Sequence, residues 1–415
     1  MKTEFKHKES MIARLSIGGG FSHRHSAKKT EKVFMVVGAT GSGKTSLING
    51  MVNYILGVER KDDFRYKVTA EDKTMSQGQC QTKGITAYTF YPMDCSTVPY
   101  TFTIIDTPGF GDSEELGKDT TIRRQIKEFL SMSPPEGIDH LDGIGFVTQA
   151  SFARLTPRQE YIFDFILSMF GKDVVKNIFT MVTFADCQSV PPVMEVINKT
   201  NIPSQKYYKF NNLVFYADNA EETEEMSNGV LWKMSVSSFK ALFSEIENLE
   251  SVSLQLTEEV LKESEHVRVL IRQLDQKITL DLSKTEELRQ EELAISSKSQ
   301  TECTIKQPTE DIKRVETEVN TMKNQIQQIL CRLDEIALKP SPLMQWQYLE
   351  RLIETEKREA NPGWMQRVQY YEEAKRLAEI CHSGKHVDAG QDLIKETPSS
   401  GDKWYPLSNS NCKIH

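Results

Sequence analysis

Gly38-Ala39-Thr40-Gly41-Ser42-Gly43-Lys44-Thr45, followed by Ser46, is the stretch on which the reading of the fold turns. An apolar run, residues 33–37, precedes it, and Leu47, Ile48 and Met51 follow it at helical spacing. Two glycines with four residues between them, then lysine and threonine, between a strand and a helix, form a loop whose backbone N–H groups wrap a β-phosphate. The glycines permit the inward turn, and the helix that starts at the loop adds its positive end. In that geometry Lys44 bridges the β- and γ-phosphates, and the Thr45 hydroxyl ligates magnesium.

An apolar strand ending in an acid should lie beside such a loop, and Phe102-Thr103-Ile104-Ile105-Asp106 supplies it. Asp106 would hold a magnesium-bound water. The chain continues Thr107-Pro108-Gly109, which brings the Gly109 N–H to a γ-phosphate oxygen, so that triphosphate can order the segment and hydrolysis release it. Upstream, within residues 78–83, Thr82 is the candidate first-switch residue closing on magnesium. Thr183-Phe184-Ala185-Asp186 ends another apolar run, and the Asp186 carboxylate can accept both N1–H and the exocyclic amine of guanine, a donor pair that adenine lacks. Phe184 stands where the usual signature has a lysine, and its ring can cover the base by stacking. For the second base loop, Asn211-Asn212 and Ala217-Asp218-Asn219 both qualify. The implied cofactors are GTP or GDP with Mg2+.

Further apolar runs at 85–91, 100–105, 144–147 and 178–182 alternate with helical patterns near 122–130 and 158–170. That alternation predicts an α/β, three-layer P-loop domain with a mixed, mostly parallel sheet over residues 31–240. The strands on either side of residues 94–98 are too close in sequence for a crossover and should be antiparallel. Residues 1–30, rich in Lys and Arg, read as a basic disordered lead-in that offers a peripheral membrane contact.

Beyond residue 240 the chain turns helical. Residues 241–300 carry a loose apolar seam, either a coiled coil or a helix packed on the globular domain. In 309–338, Ile312, Val315, Val319, Met322, Ile326, Ile329, Leu333 and Ile336 alternate at spacings of three and four, a heptad seam whose partner is a second copy or the preceding helix folded back. A helical pair over 342–382 and a disordered tail over 383–415 complete the organisation.

The 415 residues carry a net charge of −8, which argues against DNA or RNA as general partners. Seven scattered cysteines without a C-x-x-C pair indicate neither a disulfide framework nor a zinc site. The lack of a signal-like apolar segment and of a spanning-length run leads to the expectation of a cytoplasmic protein.

The motifs resemble the septin-like group of P-loop GTPases and, within it, the immunity-associated GTPase (GIMAP) family. The resemblance covers about residues 31–240 and rests on 38–46, Asp106-Thr107-Pro108-Gly109, the box Phe152-Ala153-Arg154-Leu155-Thr156-Pro157-Arg158-Gln159-Glu160, and Phe210-Asn211-Asn212. Septins match more closely at Asp106–Asp112 and in having a basic segment before the domain and a coiled coil after it. Thr183–Asp186 lacks the lysine of both families.

The resemblance implies a switch that hydrolyses GTP slowly and forms homo-oligomers through its G domain and coiled coil. The alternative is a septin-like or coiled-coil scaffold with a structural, low-turnover nucleotide. Phe110 stands where many small GTPases have a water-orienting glutamine, so another source of transition-state stabilisation is required. The resemblance assigns that role to Arg154, offered to a partner subunit. The plainer reading is a surface arginine pairing with Glu160 or another acid. Lys44, Arg154 and Gly109 are therefore the candidate catalytic groups.

Overall fold

Val33 to Val37 cannot face water on either side, and in the computed structural model they form the centre of a sheet covered on both faces. The structure describes residues 2–7, 11–18, 31–69, 84–111, 118–199, 203, 206–217, 222–296, 306–341, 346–360 and parts of 364–378. Thr82, Asn219 and the 383–415 tail lie outside the described residues.

The strands are β1 Lys2–His7, β2 Ile12–Ile17, β3 Glu31–Gly38, β4 Ile85–Phe90, β5 Thr101–Asp106, β6 His140–Leu141, β7 Gly143–Gln149, β8 Ile178–Thr183, β9 Lys206–Lys209 and β10 Val252–Ser253. The helices are α1 Lys44–Ile55, α2 Lys118–Leu130, α3 Pro157–Leu167, α4 Pro192–Lys199, α5 Glu222–Asn248, α6 Gln255–Ser296, α7 Lys306–Ile336 and α8 Trp346–Glu359. Eight strands form one sheet in the order β1-β2-β4-β5-β3-β7-β8-β9. β3 runs parallel to β5 and β7, β8 continues parallel on β7, and β4 pairs antiparallel with β5 as the short connection requires.

Alternation along β3 divides the core. Val33, Met35 and Val37 pack with Ile122 and Ile126 of α2, Phe163 and Phe165 of α3 and Val193 of α4. Phe34 and Val36 face the other way, onto Leu47, Ile48 and Met51 of α1 and Phe239, Leu242 and Phe243 of α5. The result is three layers, with the carboxyl ends of β3, β5 and β8 at one edge.

The expectation of a disordered residue 1–30 segment is corrected for its described parts. β2 extends the sheet parallel to β4, from Ile12 opposite Ile85 to Ile17 opposite Phe90, and β1 pairs antiparallel with β2. Counting basic residues hid a period-two pattern in which Ile12, Arg14 and Ser16 are buried. The Arg14 guanidinium is used structurally: it donates to the carbonyls of Pro135 and Gly137 at 2.8 and 2.9 Å and to Glu31 at 3.0 Å. Pairing also covers what would otherwise be an open edge on β4.

The described part of residues 241–300 divides between two packing environments. Leu242 and Ile246 belong to the core beneath α5, whereas Val267, Leu270, Ile271 and Leu274 of α6 pack against Ile326 of α7, flanked by Val319, Met322, Ile329 and Leu333. Arg332 pairs with Glu259 at 2.7 Å, and Lys277 pairs with Glu318, which sets α6 and α7 antiparallel within one chain. The base of this hairpin is fixed to the end of α3: the Gly171 N–H donates to Thr257 Oγ1 at 3.2 Å and the Leu338 N–H to the Phe170 carbonyl at 2.8 Å. Leu349, Leu352 and Ile353 of α8, with Val368 and Tyr371, then return to join the core cluster containing α3.

Candidate nucleotide site

The phosphate loop closes the edge formed by β3, β5 and β8. Gly43, the residue before α1, has φ +87°, a left-handed conformation that favours glycine, and it lets the chain turn directly into the helix. The first N–H groups of α1 lack intrahelical acceptors and face the anion position characteristic of such a loop. Thr183 Oγ1 donates to the Ser42 carbonyl at 2.6 Å and Gln149 Nε2 to the Gly41 carbonyl at 2.9 Å, so β8 and β7 hold the loop from behind. Neither residue stands out in sequence, since strand-end hydroxyls and amides are common and their direction is set by the fold.

Lys44 is 7% exposed, and its Nζ donates to the carbonyls of Gly38 and Ala39 at 3.1 and 2.8 Å, which turns the ammonium back over the loop. Asp106, 1% exposed, ends β5 beside it; burial pushes its carboxyl up to about 7, and the Lys44 charge opposes that shift. Asp106 Oδ1, Ser42 Oγ and Thr40 Oγ1 are buried without hydrogen-bond partners. Buried oxygens of this kind cost free energy unless something pairs with them. An oxygen donor set of this type, with Thr45 half-buried at the head of α1, fits a hard divalent cation and its phosphate ligands.

Gly109 lies against the loop so closely that a Cβ there would fall 2.6 Å from Thr40 Oγ1. The contact is fixed by backbone pairing: the Thr40 N–H donates to the Phe110 carbonyl at 2.8 Å, and the Phe110 N–H to the Gly38 carbonyl at 3.2 Å. Phe110 is fully buried, 6.1 Å from the Phe165 ring, so the residue in the glutamine position anchors the switch to the core.

At the end of β8, Phe184 has φ +51°, unusual for a bulky residue; it is 47% exposed, and a Cβ at Gly43 would fall 3.3 Å from its ring. Such strain persists where the surroundings impose it, commonly at ligand clamps. Asp186 is exposed, and its Oδ1 accepts the Gln188 N–H at 3.0 Å. Asn211 Nδ2 donates to the Ala185 carbonyl at 3.0 Å, joining the segments that follow β8 and β9. Asn212 is buried, with its Oδ1 near Gly50 of α1, a packing position rather than a base-facing one.

Arg154 is exposed and makes no hydrogen bond or ion pair, with Glu160 or another acid, among the described residues. A different arginine of the same box reaches the switch: Arg158 Nη2 donates to the Gly111 carbonyl at 3.0 Å. Sequence reasoning missed Arg158 because the family pattern directs attention to Arg154.

A glycine-rich loop, a switch strand ending in a buried acid and a base-side carboxylate on one edge of a three-layer sheet define a P-loop nucleotide-binding domain. The family model described as Septin matches residues 28–130, from just before β3 to the end of α2, so this part of the domain is similar to septins. The likeness to septins therefore covers the phosphate loop, the β4–β5 pair and the switch strand, about a quarter of the chain. Among curated proteins nothing matches. Similar solved structures include Toc33 from Arabidopsis thaliana with Mg2+ and GMPPNP, at 14% identity over 56% of this chain and 92% of that one, TM-score 0.34. A dimerization-deficient mutant of the same protein aligns at 14% identity over 54% and 87%, TM-score 0.36.

Proposed function

We propose that the protein is a magnesium-dependent guanine-nucleotide switch, cytoplasmic, that hydrolyses GTP slowly by itself and faster when two G domains associate. The observation that carries this reading is the group of unpartnered buried oxygens on Asp106 and Ser42 around the Lys44 ammonium, at the start of α1. Thr45 and Asp106, the latter through water, would hold the metal, with Thr82 as the switch ligand; when bound, the metal supplies charge neutralisation at the phosphates. Lys44 neutralises phosphate charge, Gly109 offers its N–H to the terminal phosphate, and Asp186 reads the guanine edge with Phe184 as the platform under the base.

Phe110 has no polar group to orient water, so the rate enhancement is assigned to an arginine from a second copy. Arg154, exposed and without a partner among the described residues, is suited to that role. Among the described residues the α7 seam from Val319 to Leu333 packs on α6 of the same chain, which supports the G domain as the self-associating part. The long α6–α7 hairpin favours the second reading, a scaffold with a structural nucleotide.

Turnover per molecule against protein concentration, for wild type and Arg154→Ala, separates these readings. The switch predicts activity that rises with concentration in wild type and much less in the variant. Purified protein that retains GTP, with no concentration dependence, supports the scaffold.

A further inference from the structure

We infer that Arg158 is a positioning residue that couples the nucleotide switch to the C-terminal helix α8. The inference rests on the guanine-nucleotide reading and adds to it a regulator within the same chain. A cavity of about 280 Å3 adjoins the phosphate loop at Ala39 and Thr40. Gly111 and Arg158 line one wall, and Leu352, Thr355, Glu356 and Glu359 of α8 line another. Arg158 is therefore at a junction. It donates to the Gly111 carbonyl, two residues past the switch glycine, and it shares the cavity with two carboxylates of α8.

The seat of α8 is built rather than incidental. Leu349 and Leu352 are fully buried in the core cluster around α3, and Thr355 and Glu356 are buried on the cavity side. Tyr371 packs on Tyr161 of α3 with ring centroids 5.8 Å apart, and Lys375 pairs with Glu350 at 2.7 Å, which fixes the segment after α8 to the same surface.

The switch has one arrangement here, with Phe110 paired to the phosphate loop, Gly109 against Thr40 and the Gly111 carbonyl held by Arg158. A γ-phosphate that draws the Gly109 N–H toward itself must shift Gly111, and the Arg158 guanidinium then loses its carbonyl acceptor. Glu356 and Glu359 of α8, which already have interactions of their own, line the same cavity, so the displaced guanidinium competes for their carboxylates, and a bond between two charged groups is stronger than one to a neutral carbonyl. Triphosphate binding thus changes how α8 is held, and α8 by linkage changes the preference for triphosphate over diphosphate by the same factor.

The test compares hydrogen exchange over residues 349–359 of the full-length chain with GDP and with a non-hydrolysable GTP analogue, nucleotide occupancy being verified by calorimetry. Wild type should show a nucleotide-dependent difference in protection. Arg158→Ala should lose that difference while still binding both nucleotides, and Arg158→Lys should retain part of it. Glu359→Arg, at an exposed position that leaves the buried apolar seat intact, should change the ratio of analogue to GDP affinity by about fivefold or more. In the Arg158→Ala background the same substitution should leave the ratio unchanged. Equal protection of α8 in both states of wild type, or a full difference in Arg158→Ala, overturns the coupling. Failure of both nucleotides to bind would instead refute the functional reading beneath it.

Discussion

Ile326→Asp tests whether the helical seam is spent within the chain. Ile326 is 2% exposed and packs among Val267, Leu270, Ile271 and Leu274 of α6. Removing a buried isoleucine side chain costs about 2–5 kcal/mol, and burying a carboxylate that none of these residues can pair adds to it, so the hairpin should open locally. The cores under α1, α3 and α5 share no residue with this cluster, so GDP affinity should stay within about twofold. Hydrogen exchange should show lost protection over residues 267–274 and 319–333, and light scattering should give the same mass as wild type under matched nucleotide. A fall in mass with unchanged protection of residues 267–274 would refute the intramolecular assignment.

Three further outcomes follow from the site and the opposite end of the sheet. Phe184→Ala should weaken GDP by about tenfold, since stacking of a base on an aromatic ring is worth about 1–3 kcal/mol, and Phe184→Lys should recover part of the loss in a calorimetric titration. Asp186→Ala should weaken GTP more than inosine triphosphate, which lacks the exocyclic amine; equal losses would remove Asp186 from that role. His140, held by Asp142 and Asp139, is raised to about 9, so its stabilising contribution is complete below the ordinary imidazole value, about 6.5. That contribution is lost as pH rises through about 9, and thermal midpoints should fall over this window in wild type but less in His140→Asn.

The phosphate loop was legible because its function demands glycines and a lysine at fixed spacing, and the antiparallel β4–β5 pair because its connection is short. β2 was hidden because Arg14 and Ser16 occupy inward positions usually filled by apolar residues, and the carbonyls of Pro135 and Gly137 with the Glu31 carboxylate explain the arginine. The heptad seam of α7 announced a partner helix without naming it, since periodicity defines a face and not what covers it. Arg158 and α8 were unreadable for a similar reason: their proximity to each other depends on a return of the chain across nearly two hundred residues.

The most direct test of the central claim is calorimetric titration of GTP, GDP and ATP with Mg2+ into wild type and Lys44→Ala. Wild type should bind both guanine nucleotides and discriminate against ATP. The variant should lose at least about tenfold in affinity, since a charge-assisted phosphate contact is worth about 1.5–3 kcal/mol. Unchanged GTP affinity in Lys44→Ala, or equal affinity of wild type for ATP and GTP, would contradict the assignment.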